Sequence, residues 1–397
     1  MSWPMVKLGD VCTINPRLPK NIDLEQEVTF LAMAAVSEKG EISSQETRIL
    51  HETKKGFTYF ERGDVLLAKI TPCFENGKAT LTNSLNTQIG FGSTEFHVLR
   101  AIPELILPEY IFYLIWNEKF RIAAVKEMTG SAGQKRVSAD YLKEYQFYLP
   151  SIFEQEKIIS ALNKGYSIHR KRQQAIKLAD DFLRATFLDM FGDPVKNPKR
   201  WKTDKIKKGI LAITSGWSAT GENTPCKSDE FGVLKISSVT SGVFKPEENK
   251  VVACESIPAS KKLIHPKKGD LLFSRANTRE LVAAICMVHQ DYDNLFLPDK
   301  LWSIKLNHDL LLPEFFLILI QNEKVRDLLT KQATGTSGSM LNISKSKFEE
   351  TEIIFPGINV QKDFCNAFRK TMNLKTKLMK SNELAIESFN SLSQKVF

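Results

Sequence analysis

Short apolar runs, broken by turn residues, fill most of the first 107 positions. "DVLLAKI" (64–70) and "EFHVL" (95–99) are rich in β-branched, aromatic and aliphatic residues and are bounded by Gly, Asn and Pro, as strands between turns are. A Leu-Pro-Glu step at 107–109 then opens a stretch whose apolar positions recur at helical spacing. Proline in the first turn beside an acidic residue suits a helix N-terminus, so a helix is expected over 108–128. A Gly/Ser loop, "GSAGQKR" (130–136), leads to a short strand that ends at Pro150. From 152 the pattern changes. Ile158, Leu162, Tyr166, His169, Gln173, Ile176, Leu183, Phe187 and Met190 fall mostly at three- or four-residue steps, which predicts a long amphipathic helix over 152–190.

The whole pattern then returns. "LPEYIFYLIWNEKFRIAAVKEMTGSAG" (107–133) aligns without a gap to "LPEFFLILIQNEKVRDLLTKQATGTSG" (312–338), at an offset of 205. "YQFYLPSIFEQEKI" (145–158) aligns to "TEIIFPGINVQKDF" (351–364) at an offset of 206, pairing Pro150 with Pro356 and Gln155 with Gln361. "ERGDVLLAKITP" (61–72) is echoed by "KKGDLLFSRANT" (267–278) at the same offset. A period this long means a duplicated domain rather than a solenoid. The second copy has its own strands ("DLLFS", "KLWSIKL"), a helix expected over 313–332, and a second long stripe. That stripe is Val360, Phe364, Phe368, Met372, Leu378, Phe389 and Leu392, predicting a helix over 359–395.

A helix over 152–190 would be roughly 58 Å long. An apolar stripe of that length wants a partner helix, and the two stripes are each other's obvious partners. With each helix following its own copy, the expected arrangement is an antiparallel pair with a globular domain at each end, related by a pseudo-two-fold axis. "FGDPVKNPKRW" (191–201) ends the first long helix and leads into copy two. The expected divisions are 1–150, 151–198, 199–356 and 357–397, and the fold class is α+β.

Composition changes this picture little. Apolar residues make up 42% and charged residues 25%, as in ordinary globular proteins. The strongest apolar run, "LLLPEFFLILI" (310–320), carries Pro313 and Glu314 and falls short of the ~18 residues of a membrane span. Neither a membrane partner nor a secretory leader is expected. Six scattered cysteines without a CxxC, and histidines that do not cluster with them, suggest free thiols in a reducing cytoplasm rather than a zinc site.

Charge adds more. The net charge is +9, and segments 151–200 and 357–397 hold +4 each. Two readings stand: long helices solvated by Lys and Arg, or helices near a phosphate backbone or an acidic partner subunit. The chain has no GxxxxGK[ST], GxGxxG, Asn/Asp-Pro-Pro-aromatic, HExxH or GxSxG motif. That pattern favours a binding protein without a cofactor or metal, and without catalytic residues of its own.

The order "GDVLLAKI", "LPEYIFYLI", "GSAGQKRVSADYLKEYQFYLPSIFEQEKII", a long helix ending "FGDP", and then the series again in looser form resembles the specificity subunits of type I restriction–modification enzymes. The likeness covers nearly the whole chain. It is looser at "FPGINVQKDF", where Val360-Gln361 stands in place of a Glu-Gln pair. The resemblance implies two target-recognition domains, each reading half of a split site in double-stranded DNA; because the domains differ in sequence, the halves need not be palindromic. It implies long helices that space those domains and dock methyltransferase subunits. Chemistry then belongs to other chains, the methyltransferase and the restriction/translocase subunits. An adaptor whose globular ends bind protein is the rival reading; specific DNA binding with the methyltransferase present separates the two.

Candidate contacts follow from residue type. In "GSAGQKR", Gln134 suits an adenine edge, and Lys135 and Arg136 suit phosphate or guanine. The counterpart "GTSGSML" (335–341) offers Ser337 and Ser339 without a cation. Lys69 and Thr71 follow the first apolar strand; Arg275, Asn277 and Arg279 follow its repeat. For these the alternative is a structural ion pair to a nearby carboxylate such as Glu280. "SGWSATGEN" (215–223), with Trp217, reads better as an ordinary exposed loop, and His97, His265 and His308 as structural.

Overall fold

A computed structural model describes residues 3–131, 133–335 and 340–397. It contains two compact units: Met1–Gln173 with Met379–Phe397, and Gln174–Leu378. In unit one, an antiparallel sheet runs in the order Cys12–Ile14, Phe96–Ala101, Val65–Ala68, Ala79–Leu81. A second sheet runs Glu46–Ile49, Glu27–Leu31, Ile89–Gly92, Thr58–Glu61, with its middle pair parallel. Unit two repeats the first order with Ile210–Ser215, Leu301–Leu306, Leu271–Ser274 and Ile285–Met287. It repeats the second with Asn249–Val252, Phe231–Leu234 and Leu295–Phe296, and the last two are again parallel. The duplication seen in the sequence is therefore a duplication of sheet topology.

The Gly-Asp echo has a structural cause. Gly63 and Gly269 take φ values of +96° and +88°, which an L side chain rarely adopts. Each sits at the turn into a buried strand. The following aspartate closes the turn: Asp64 accepts from the Glu61 amide (2.7 Å) and Asp270 from the Lys267 amide (3.0 Å). In unit one Arg100 also donates to both oxygens of the buried Asp64 at 2.8 Å. Among the described residues no arginine pairs with Asp270, and burial raises its pKa.

The helices expected over 108–128 and 313–332 are each two helices. Pro108–Trp116 is followed by Glu118–Lys126, and Pro313–Gln321 by Glu323–Lys331. The break is the asparagine of the shared Asn-Glu-Lys. Asn117 (φ −63°, ψ 142°) and Asn322 (φ −63°, ψ 128°) are extended, and their side chains accept from the amides of Lys119 (2.8 Å) and Lys324 (3.1 Å). A side chain that caps a new helix outcompetes continuation of the old one.

The shared Pro…Gln spacing is a latch. Buried Gln155 accepts from the Leu107 amide (2.9 Å) and donates to the carbonyls of Leu105 (3.1 Å) and Pro150 (2.9 Å). Buried Gln361 does the same with Leu312 (2.9 Å), Leu310 (2.9 Å) and Pro356 (2.8 Å). Each latch ties the first turn of a long helix to the start of the Leu-Pro-Glu helix.

The two stripes form helices Ile152–Phe191 and Ile358–Val396. They pack antiparallel within each unit. In unit one, Arg172 donates to the Ser381 carbonyl (2.5 Å), His169 Nδ1 to Asn382 Oδ1 (2.8 Å), and Gly165 lies against Phe389. In unit two, Lys375 pairs with Asp180, and Phe187 packs on Phe364. Each unit is completed by the end of the other copy's helix. Phe191 packs on Phe315 in unit two (4.8 Å between centroids), and Phe397 packs on Tyr110 in unit one (5.1 Å).

Candidate nucleic-acid interface

Val65–Ala68 is wholly buried, and the chain emerges at Lys69. There it meets the loop that follows residue 128. The Val137 amide donates to the Lys69 carbonyl (3.0 Å), the Thr71 amide to the Lys135 carbonyl (3.0 Å), and the Lys135 amide to Thr71 Oγ1 (3.2 Å). Thr129 and Arg136 exchange backbone bonds of 3.1 and 2.8 Å, which pinch the loop into a small hairpin. Lys69, Thr71, Gln134, Lys135 and Arg136 thus come together on one edge. Gln134 and Lys135 are exposed.

Unit two builds the same edge from different residues. The Ile343 amide donates to the Arg275 carbonyl (2.8 Å), and Ala276 and Asn277 pair with Asn342 and Leu341. Thr334 and Asn342 exchange backbone bonds of 2.9 Å each. By position Lys69 matches Arg275, Thr71 matches Asn277, Arg136 matches Asn342 and Val137 matches Ile343, each 206 residues apart. Arg279 is exposed. Asn277 Oδ1 is turned back to the Thr278 amide (2.8 Å). Ser337 and Ser339 lie outside the described residues.

Arg136 and Arg275 are each engaged within their own unit. Arg136 grips Glu95 through Nε (3.0 Å to Oε2) and Nη2 (2.9 Å to Oε1), and its Nη1 donates to the Gln134 carbonyl (3.1 Å). The hydrogen bonds from Arg136 hold the Glu95 carboxyl below its ordinary range, and Glu95 in turn raises the Arg136 pKa. Arg275 donates through Nε to the Asp299 carbonyl (2.8 Å), through Nη2 to Asp299 Oδ2 (3.2 Å), and through Nη1 to Asn342 Oδ1 (2.9 Å). Its carboxylate is Asp299, and no ion pair joins it to Glu280 among the described residues. Ser218 also donates to Asp299, so the loop containing Trp217 adjoins this edge. Trp217 itself stacks on buried Phe296 at 6.1 Å, a packing role the exposed-loop reading did not anticipate.

Beneath the first edge lies His97, 4% exposed. Asn15 Oδ1 accepts from the Val98 amide (3.0 Å), which turns Asn15 Nδ2 toward His97 Nδ1 (3.1 Å). Nδ1 is therefore the acceptor, and Nε2–H donates to the Val137 carbonyl (2.8 Å). In unit two, His265 Nδ1 meets the Leu295 carbonyl at 2.8 Å, another structural role.

Sequence reasoning missed Glu95, Asp299 and one further pair. Arg326 donates to the Val282 carbonyl (3.1 Å) and to that of Glu280, bracing the loop that carries Arg279. Its counterpart Arg121 lies against Gly77, where an added Cβ would meet Nη1 at 2.5 Å. The signal was present: Asn-Glu-Lys-x-Arg occurs at 117–121 and 322–326. Among the described residues no group of His, Cys, Asp and Glu could hold a metal ion, and no helix is long and apolar enough to cross a membrane.

Residues 2–178 match the family model of the type I restriction modification DNA specificity domain. The match to a known protein extends through both copies. Over 98% of this chain and 82% of the relative, it is 25% identical to the type I restriction enzyme EcoEI specificity subunit of Escherichia coli. Residues 2–178 are thus a type I restriction–modification DNA specificity domain, and the chain along its length is similar to the specificity subunits of those systems. A shorter region, 43% of this chain and 29% of the relative, is 39% identical to the EcoAI specificity subunit of the same organism. Among solved structures, the type I restriction–modification S subunit from M. genitalium has a TM-score of 0.59 at 12% identity, covering 100% of this chain and 96% of that one. A chain solved in work on complex assembly and conformational transition of the type I R-M system has a TM-score of 0.56 at 18% identity, covering 100% and 97%. Both share the fold. With this domain and these relatives, the chain serves DNA sequence recognition and is a non-catalytic component. Specificity subunits work with DNA and with methyltransferase and restriction subunits.

Proposed function

We propose that residues 1–150 and 199–356 each read one half of a split site in double-stranded DNA. In this reading the helical segments 151–198 and 357–397 set the distance between the halves and dock methyltransferase subunits, and restriction subunits join the same cytoplasmic assembly. The observation that carries the reading is the repeated edge. One backbone scaffold, a strand end bonded to a pinched loop, occurs in both copies with different side chains. A scaffold that varies its side chains on a fixed frame suits the reading of two unlike sequences.

The contacts proposed are Lys69, Thr71, Gln134, Lys135 and Arg136 in the first copy and Arg275, Asn277 and Arg279 in the second, with Ser337 and Ser339 offered from the sequence alone. Gln134 and Asn277 are the residue types that pair bidentately with adenine, and the cations suit phosphate or guanine. The eight net positive charges of the helical segments support an acidic neighbour there.

The test is an exchange. Residues 199–356 are replaced by the equivalent segment of a relative with a different site, and the methylated sequences are mapped in a host that supplies the partner subunits. One half of the site should change and the other stay. Change in both halves would sink the two-reader model.

A further inference from the structure

Arg136 and Arg275 occupy different positions of the repeated edge, yet their guanidinium groups do one job. In unit one the arginine comes from the loop and its carboxylate, Glu95, from the first residue before the strand Phe96–Ala101. In unit two the arginine comes from the strand end, and it holds both Asp299 and the loop residue Asn342. Both tie the loop to a carboxylate that precedes the neighbouring strand, directly in unit one and through the strand-end arginine in unit two. All three nitrogens of each guanidinium already donate to acceptors within the unit, which suits a group that holds a loop.

We infer that Arg136 with Glu95, and Arg275 with Asp299 and Asn342, are positioning residues that fix the loop against the strand end before DNA arrives. The inference rests on the reading of this edge as the DNA-contacting one, and it narrows it. In unit one, contact falls to the exposed Gln134 and Lys135, whose backbone the clamp orients through the Gln134 carbonyl. In unit two it falls to residues outside the clamp, Arg279 first. Holding a loop in its bound form before binding lowers the ordering cost of association.

Two measurements on the full chain separate the clamp from the DNA reading. The first is amide hydrogen exchange without DNA, on the native chain, Glu95→Ala, Arg136→Ala and the charge-swapped pair Glu95→Arg/Arg136→Glu. The bonded amides of Thr129, Lys135, Arg136 and Val137 should exchange roughly three- to tenfold faster in either single variant and recover in the swap. Unchanged exchange overturns the clamp, whatever the loop binds. The second is binding to a duplex bearing the methylation-mapped site, with the methyltransferase subunit present. Both single variants should lose about tenfold in specific affinity with the salt slope unchanged, because neither removes a phosphate contact. Loss in Arg136→Ala with a slope smaller by about one unit, together with tighter binding by Glu95→Ala, makes Arg136 a direct contact and overturns the inference. Faster exchange with unaltered binding removes the loop from the DNA interface, and with it the positioning role.

Discussion

His97 shows how much one buried side chain decides at the first edge. Its single set of partners requires the neutral ring: Nδ1 faces an amide donor and Nε2 donates to Val137. Burial lowers its pKa from the ordinary 6.5, and nearby Lys69 acts the same way, while the Val137 bond and Glu95 oppose them. The unfolded chain takes up a proton near pH 6.5 that the folded chain resists. His97 therefore contributes stability that is fully present above about pH 6.5 and is lost as the pH falls below it. Thermal unfolding followed from pH 7.5 to 5 should show a falling midpoint, and His97→Gln should flatten that fall. Equal pH dependence in the two proteins would refute the assignment. At this scale the sequence was half legible. A cation after each apolar strand was visible because the strand ends where the polar residues begin. The carboxylates were hidden, because Glu95 lies 41 residues from Arg136 and Asp299 lies 24 from Arg275, and only tertiary pairing brings them together.

Among the elements, the asparagine breaks carry the clearest test. Asn322→Ala removes one cap, a loss of about 1 kcal/mol. Asn117 does more, since its Nδ2 also donates to Ser393 Oγ at 2.7 Å in a buried contact. Asn117→Ala should therefore destabilise by about 1–3 kcal/mol, more than Asn322→Ala, in denaturant unfolding of the two variants. The reverse order would contradict the Ser393 contact. The break was misread because helical spacing of apolar positions continues across it; the backbone changes direction at a residue the periodicity does not register. The long helices were legible because their stripes run on without a proline. As spacers they make a further prediction. Four residues added to both helices, near Gln173 and near Leu378, lengthen each by roughly 6 Å. With DNA rising about 3.4 Å per base pair, the gap in the methylated site should grow by one or two base pairs while both half-sequences stay. Methylation mapping reads this directly, and an unchanged gap with full activity would rule the helices out as rulers.

At the scale of the whole molecule, the duplication was the most legible feature, since it rests on many matched steps in one order. What it did not reveal is how the copies divide the chain. The two compact units divide within the two long helices, near Gln173 and Leu378. The cause is the exchange of helix ends. Phe397 covers Tyr110 in the first unit as Phe191 covers Phe315 in the second, and nothing in a periodic stripe says whose core its far end will join.

That exchange bears on how the protein is made. Unit two is a continuous stretch, Gln174–Leu378, and all of its residues have been synthesised before Met379 is added. Unit one waits for Phe389, Leu392, Val396 and Phe397, which pack on the core around Tyr110 and Tyr113. Domains usually fold in the order in which they leave the ribosome. Here the first half to be translated is the last to close, and until then it holds an uncovered apolar face that the cell must tolerate through the synthesis of some two hundred further residues.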